Sequence, residues 1–558
     1  MSLPAGSRRT RLGVAVTATL LAAVTLLTAC SGSGDVRPGP PAAKPEAAAR
    51  EVAPITTDLA APVATCVNAT PGWSAREDSQ AGSADLPHGR AREWTGPVVG
   101  YLDSVTAVCG QTLTAHLSSD RGDTKVRLRA LRVGYYGGAG SRLVWQSPVI
   151  LAREQRKAQA TGPDRVIRED WPVSSRFTVG PGWPPGLYVV QVAPLDRAMS
   201  PSYIPLVVRT SGTRSPYLIV TSDLTWMAYN SYGGRSLYGG PGASFAERLA
   251  NRSYVASADR PLLRTAVEQF FGMDLPIARF LARHGLAADV TTDSSLDAEP
   301  SQLQGQPTVV IGGHSEYWTK RMYDAAVAAR DAGTNFAFLG ANEIYWQGRI
   351  ERDKLGRMTG LTVFKDQRLD RHARAYPETT TVQWRAQPLN RDPASLVGEG
   401  MAVVGVHASY VVANAPAWLF TSSGLKPGDA LPLAVGNEAD AQEPPGDHSP
   451  LSLQVVLHAV GRGADTHRPS EITAGYYSAP SGAGVFSAGT TYWTCGLDST
   501  CPRWDTPAST SAALQQITLN LLRAFAVPRA GRLHPSVATP YLTPSQLAER
   551  LPMGGPMR

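Results

Sequence analysis

Three short segments concentrate the residue types that can do chemistry, and each follows an apolar run that reads as a buried strand. YLIV at 217–220 leads into SDLTWMAYNSYGGRSLYGG, which holds Trp226, Tyr229, Asn230 and Tyr238. TVVIG at 308–312 leads into Gly313, His314, Ser315, Glu316, Tyr317 and Trp318. FAFLG at 336–340 leads into Ala341, Asn342, Glu343, Ile344, Tyr345 and Trp346. Open parallel sheets bind ligands beyond the carboxyl ends of their strands, so these side chains are expected to share one rim. Trp226, Tyr229, Asn230 and Tyr238 are candidates to face a substrate there, and His314 and Asn342 to handle a proton or to fix a loop. The pairs Tyr317-Trp318 and Tyr345-Trp346 can equally be aromatic caps on the sheet edge, their hydroxyls bonded locally. Ser315 stands near a strand-to-helix turn, but its surroundings are not GxSxG, so a serine triad has little support. No HExxH, no close histidine pair and no Gly-rich phosphate loop after a strand is present.

The elements that must position these residues form two regions. From 62 to 212 the chain reads as all-β: in Lys125–Val133 apolar Val126, Leu128 and Ala130 alternate with Arg127 and Arg129, the period of a half-buried strand. Pro184-Pro185-Gly186 then leads into LYVVQV, and short strands between Gly/Pro turns favour a β-sandwich, of immunoglobulin-like type by its Pro-Gly-Leu-Tyr. From 216 to 528 strands alternate with helices. Asp274 is expected to cap a helix carrying Ile277, Phe280, Leu281 and His284 to a stop at Gly285. A second helix is expected over Thr319–Ala332, with Met322, Ala326 and Val327 together and Gly333 as its end. This is the signature of an α/β domain with an open, mostly parallel sheet. After about 365 strand-like pieces dominate, an insertion into that domain or an extension of it, until a helix near Ser511–Ala524 and a tail over 529–558.

The chain starts with Arg8, Arg9 and Arg11, then the apolar run LGVAVTATLLAAVTLLTA, and meets Cys30 directly after Ala29. A basic start, an apolar core and small residues before a cleavage point describe a secretory signal over 1–29, and the cysteine resembles a bacterial lipoprotein box. An uncleaved membrane helix is the competing reading, at the lower limit of spanning length. Residues 30–61, rich in Pro, Ala, Gly and Ser, read as a tether between the lipid on Cys30 and the folded body. The expected location is therefore the outer face of the cell membrane. Losing three arginines with the signal lowers the formal charge from +7 to +4, with no dense basic run, which argues against nucleic acid as a partner. The remaining cysteines, Cys66, Cys109, Cys495 and Cys501, suit two disulfides in an exported protein, with local pairing favoured among three connectivities. A zinc site is the rival, but there is no CxxC pair.

WMAYNSYGGRSLY, GGHSEYW, LGANEIYW and LPLAVGNEAD, in this order over residues 217 to about 525, resemble the large (beta) subunit of N,N-dimethylformamidase and its C-terminal-domain relatives. The resemblance implies a glutamine-amidotransferase-like core and a mononuclear iron held by two tyrosines and a glutamate. By motif these are Tyr317, Tyr345 and Glu438, hard oxygen donors suited to a Lewis-acidic ferric ion. No cysteine lies between Cys109 and Cys495, so the nucleophile usual in the amidotransferase fold is missing. The expected activity is hydrolysis of a small amide, with a homo-oligomer or a separate small subunit as the implied assembly. The alternative is a non-catalytic envelope protein that binds a glycan or peptide.

Overall fold

A computed structural model of the chain describes residues 72–86, 95–210, 214–263, 265–464, 468–498 and 506–557. The expected signal, lipidated Cys30, the tether, Cys66 and Cys501 all lie outside the described residues. Among the described residues, no helix is long and apolar enough to cross a membrane. Cys109 and Cys495 are each disulfide-bonded.

The alternation read in Lys125–Val133 builds the strand Thr124–Val133, central to a six-stranded sheet with Gly186–Pro194, Ser202–Val208, Thr106–Ala107, Ser141–Gln146 and Ile150–Ala152. A three-stranded sheet places Thr112–Ser119 between Val98–Leu102 and Ser175–Thr178. Because successive strand residues face opposite ways, the central strand serves two cores. Val126, Leu128 and Ala130 pack with Leu113, Ala115 and Leu117 of the smaller sheet. Leu131 and Val133 instead join a larger cluster with Phe270, Leu275 and Phe280 of the second region.

The second region is built on ten strands. Their order is Ala288–Thr292, Tyr217–Thr221, Thr308–Ile311, Asn335–Phe338, Gly484–Ser487, Ser470–Ser478, Gln454–Gly461, Met553–Pro556, Gly400–Val412 and Ala430–Ala441. The first five run parallel to their neighbours. Beyond them the pairing is chiefly antiparallel. The mostly parallel sheet expected from the strand–helix alternation therefore describes one half only, and the whole is a mixed sheet. The pieces after 365 extend this same sheet, because antiparallel neighbours need only hairpin connections and no crossover helix.

Two helices show how local chemistry sets the site. Lys320–Ala332 starts at Thr319, whose hydroxyl accepts from the Met322 N–H, and stops at Gly333 with φ 108°, where a Cβ would be strained. It buries Met322, Tyr323, Ala326 and Ala329. Asp274 precedes Leu275–Arg283, as expected, but its side chain makes no cap. A π-helical turn, Phe270–Asp274, runs straight into this helix. The N–H groups a cap would serve are already engaged, and the Asp274 carboxylate accepts from Trp226 Nε1 at 2.8 Å instead. The helix expected near Ser511–Ala524 spans Ala508–Phe525, and two short helices, Ala530–Leu533 and Pro544–Ala548, follow it in the expected tail.

Candidate functional site

Four segments converge above the parallel half of the sheet. The helix Asp223–Tyr229 follows the strand Tyr217–Thr221 directly and is buried along its whole length. Its last residue, Tyr229, packs against Tyr238 with ring centroids 4.5 Å apart and planes tilted by 34°. GGHSEYW and LGANEIYW leave adjacent parallel strands and then pair again as two-residue strands, Tyr317 opposite Trp346 and Trp318 opposite Gln347. Such close passage needs glycine: a Cβ on Gly340 would stand 2.3 Å from the Gly313 carbonyl oxygen. Glu438, on the Ala430–Ala441 strand, enters from the antiparallel half and is fixed by Asn342 Nδ2, which donates to Glu438 Oε2 at 2.7 Å.

The centre is a knot of phenols and carboxylates. The Tyr238 hydroxyl donates to Glu316 Oε1 in a short hydrogen bond. The Tyr229 hydroxyl approaches that of Tyr238, and the Tyr317 ring meets the Tyr238 ring edge-on with centroids 6.4 Å apart. His314 Nε2 lies 3.1 Å from Glu438 Oε2 and 3.7 Å from Glu316 Oε2, while Nδ1 meets Gln269 Oε1 at 3.1 Å. Lys365 Nζ sits 3.4 Å above the centroid of the Tyr238 ring. The tyrosines, Gln269 and the two glutamates are buried, with His314 1% and Glu438 4% exposed, while Lys365 is half-buried with its Nζ enclosed.

Burial and mutual charge set the protonation states. Burial lifts the phenols of Tyr229, Tyr238 and Tyr317 well above their usual range, and the Glu316 carboxylate adds to the lift. Burial opposes a charge on His314, but Glu438 and Glu316 outweigh it and raise its pKa to about 9. Glu438 is lowered because the His314 cation outweighs its desolvation, whereas desolvation wins at Glu316, which is raised. Burial pushes Lys365 down to about 7 against the pull of Glu316 and Glu438. Several atoms of this group are buried with no well-formed hydrogen bond: Glu316 Oε2, Tyr317 Oη, His314 Nε2, Asn342 Oδ1 and Lys365 Nζ. Buried polar atoms are nearly always satisfied, so such a concentration marks a place prepared for something other than its own side chains.

The backbone carries strain at the same place. Asn342, Ile344, Lys365 and Asn437 all have φ between 55° and 62°. For a β-branched residue such as Ile344 this conformation is a genuine outlier, and strain of this kind gathers at functional sites.

The expected site residues separate into groups. Tyr229, Tyr238, His314, Tyr317, Asn342 and Glu438 are in or against the knot. Tyr345 is set back, edge-on to Trp346, with its hydroxyl bonded to Gln383 and its pKa raised by burial to about 12. Trp226 and Asn230 are committed to the frame: Trp226 holds Asp274, and Asn230 bridges Pro261, Tyr232 and Leu263. Ser315 forms no triad, since its hydroxyl meets Asp293 and Trp318 and not His314. Glu316 and Lys365 were absent from the expected set. Glu316 stands in the same heptapeptide as His314 and Tyr317, while nothing in TVFKDQ distinguishes Lys365.

Among the described residues, no group of three or more His, Cys, Asp and Glu side chains is arranged to hold a metal ion. The knot is a different donor set, phenol oxygens around a carboxylate. A cavity of about 450 Å³ lies beside it, between the two regions, and touches Asp223, Trp226 and Met227 of the same helix but none of the knot residues.

The profile of the family described as N,N-dimethylformamidase beta subunit-like, C-terminal, matches residues 127–506. The chain belongs to this family. The match starts within the Thr124–Val133 strand, so the dimethylformamidase-like unit takes in most of the six-stranded sheet, 99 residues ahead of Trp226, where the first motif begins. It also spans every knot residue. No curated protein matches the chain.

Proposed function

We propose that this protein is an iron-dependent amidohydrolase that cleaves the C–N bond of a small amide. The observation that carries the reading is the Tyr238–Glu316 contact, with the phenol of Tyr229 beside that of Tyr238 and His314 set between Glu316 and Glu438. Phenols this deeply buried ionise near neutrality only if a cation takes their charge, and phenolate and carboxylate oxygens are the donors a ferric ion favours. Tyr238, Glu316 and Tyr229 would hold the iron. Tyr317 stays at the edge of that set, and Tyr345, bonded to Gln383, fits it less well than its motif suggests. When bound, the metal supplies Lewis acidity for an amide carbonyl and for water.

The chain's own groups account for the rest. His314, held by Gln269 and Glu438 and kept protonated by Glu438 and Glu316, is placed to give its proton to the leaving amine and to recover one from the attacking water. Asn342 fixes the Glu438 carboxylate that orients it. Water's oxygen joins the carbonyl carbon, the C–N bond breaks, and the amine leaves with the proton; no oxidant is needed.

The same reading places the protein outside the cytoplasmic membrane, anchored through lipid on Cys30. A small partner subunit is consistent with the beta subunit-like family. The five parallel strands suit an amidotransferase-like core, and the two-sheet front region an immunoglobulin-like sandwich. The test is metal content and visible absorption of protein expressed with its signal replaced. About one iron per chain, a phenolate-to-iron band weakened in Tyr238→Phe but unchanged in Tyr345→Phe, and turnover of small amides are expected. Iron-supplied protein that carries none, and hydrolyses no small amide, would end this reading.

A further inference from the structure

Lys365 is the charged group in the site that the proposed chemistry leaves unused. Its Nζ is buried and finds no hydrogen-bond acceptor among the described residues. It stands 3.4 Å from the centroid of Tyr238, 4.8 Å from Trp346 and 5.3 Å from Tyr317, so aromatic faces surround it. The backbone holds it there at some cost, with φ 61° at a non-glycine residue. Neighbouring bonds keep the loop in place: Lys365 N–H donates to Thr381 O at 2.9 Å, Phe364 N–H to Thr381 Oγ1 at 2.9 Å, and Arg252 Nη2 to Phe364 O at 2.9 Å.

A buried amine with no acceptor costs stability unless something pairs with it. Cation–π contact offsets only part of that cost and leaves the N–H bonds unmet. A purely structural role would be filled better by methionine, which matches the stem in length and has no polar atom to satisfy. The ligand can supply what the chain does not: an amide presents a carbonyl oxygen, and its acid product presents a carboxylate.

Resting on the amidohydrolase reading of the same site, we propose that Lys365 Nζ is the ligand-oxygen contact, receiving the carbonyl oxygen of the amide and then the carboxylate of the product. An amine and an ammonium both offer N–H donors, so the assignment does not depend on which is present. It also makes the site selective for ligands that carry an acyl oxygen at that position, because a molecule without one leaves the amine unpaired.

The probe is acetate, titrated calorimetrically into the full-length protein with its signal replaced. Wild type should bind acetate saturably, Lys365→Met at least tenfold more weakly, and Lys365→Arg in between, since it keeps N–H donors. Thermal unfolding separates function from structure: Lys365→Met should melt at or above the wild-type temperature, where a structural lysine would lower it. If Lys365→Met does not fold, Lys365→Arg and Lys365→Gln carry the comparison. The assignment falls if wild type shows no saturable acetate binding, or if the folded variants bind acetate as wild type does. Iron content and the phenolate band are read on the same samples. Lys365-dependent acetate binding in iron-free protein would uphold this contact while removing the iron reading. Unchanged acetate binding in an iron-loaded, active Lys365→Met would do the reverse.

Discussion

At the scale of single residues, the site depends on side chains that hold other side chains. Asp370 is the clearest case. Its carboxylate accepts from Arg349 Nη1 at 2.6 Å and Nη2 at 2.8 Å, and from Thr381 through both N–H and hydroxyl at 2.8 Å. Thr381 in turn receives the N–H groups of Phe364 and Lys365, so Asp370 anchors the loop that carries the buried lysine. With His372 N–H at 3.1 Å there are five donors, two of them on one guanidinium, and together they overcome burial and hold its pKa down to about 2. Asp370→Ala leaves Arg349 and Thr381 unmatched and should cost about 2–4 kcal/mol, read by urea unfolding. A lowered carboxylate contributes stability above its unfolded value near 4, and the contribution is lost as pH falls toward 2. The variant should therefore differ from wild type at pH 6 and approach it in acid. An equal deficit at both pH values would show that the charge is not what Asp370 contributes. Residues of this supporting kind were the hardest to read from the chain. His314 and Tyr317 stand out in GGHSEYW, yet nothing in the sequence distinguishes Glu316, which points into the same knot, since a carboxylate after a strand is common. Lys365 had no pattern at all, since its placement comes from a strained backbone and a remote anchor.

Elements were legible where their periodicity was plain. YLIV, TVVIG and FAFLG are short apolar runs, and the sheet sets them side by side as parallel neighbours. The long strands were less so. Gly400–Val412 and Ala430–Ala441 pair with three register shifts, and each shift interrupts the two-residue alternation that would have revealed them. Buried polar residues blur the pattern further, and Ser470–Ser478 carries one whose effect can be measured. Glu471, opposite Val460, is 6% exposed, and its Oε2 makes no hydrogen bond. Burial alone raises its pKa to about 8. It is thus neutral when folded and ionised when unfolded over the range between about 4.5 and 8. Stability from this group is complete below the unfolded value and is lost as pH rises through the folded one, by up to about 1.4 kcal/mol per pH unit. Glu471→Gln removes that slope without changing shape. Denaturant unfolding between pH 5 and pH 8 should find the variant gaining steadily on wild type, and parallel curves would show that Glu471 ionises freely in the folded chain.

For the whole molecule, the sequence suggests two bodies joined near residue 213, while the packing binds the described parts of both into one core. Leu131, Val133, Leu187, Val189 and Val207 of the six-stranded sheet share an apolar cluster with Tyr217, Ile219, Phe270, Leu275 and Phe280. Tyr203 meets Phe271 edge to face at 6.0 Å, and Arg279 reaches across to the Gly140 carbonyl at 3.3 Å. Composition could not reveal this, because a strand buried on both faces and one buried on a single face differ only in which neighbour covers the second side. Five aliphatic side chains buried at about 1.5–3 kcal/mol each give the shared face roughly 10 kcal/mol, comparable to the stability of an entire domain. Neither region can then unfold without exposing the core of the other. Calorimetry on the full chain should give one cooperative transition, and a chain starting at residue 214 should be insoluble or lack a sharp transition. Two separated transitions, or a truncated chain that folds at the temperature of the whole, would mean that the shared cluster is only a contact. The family match beginning at residue 127, inside the strand that supplies Leu131 and Val133, agrees with a single unit. On that view the front sheet is part of the scaffold under the site, because it presses on the turn Phe270–Asp274 that follows Gln269, the partner of His314.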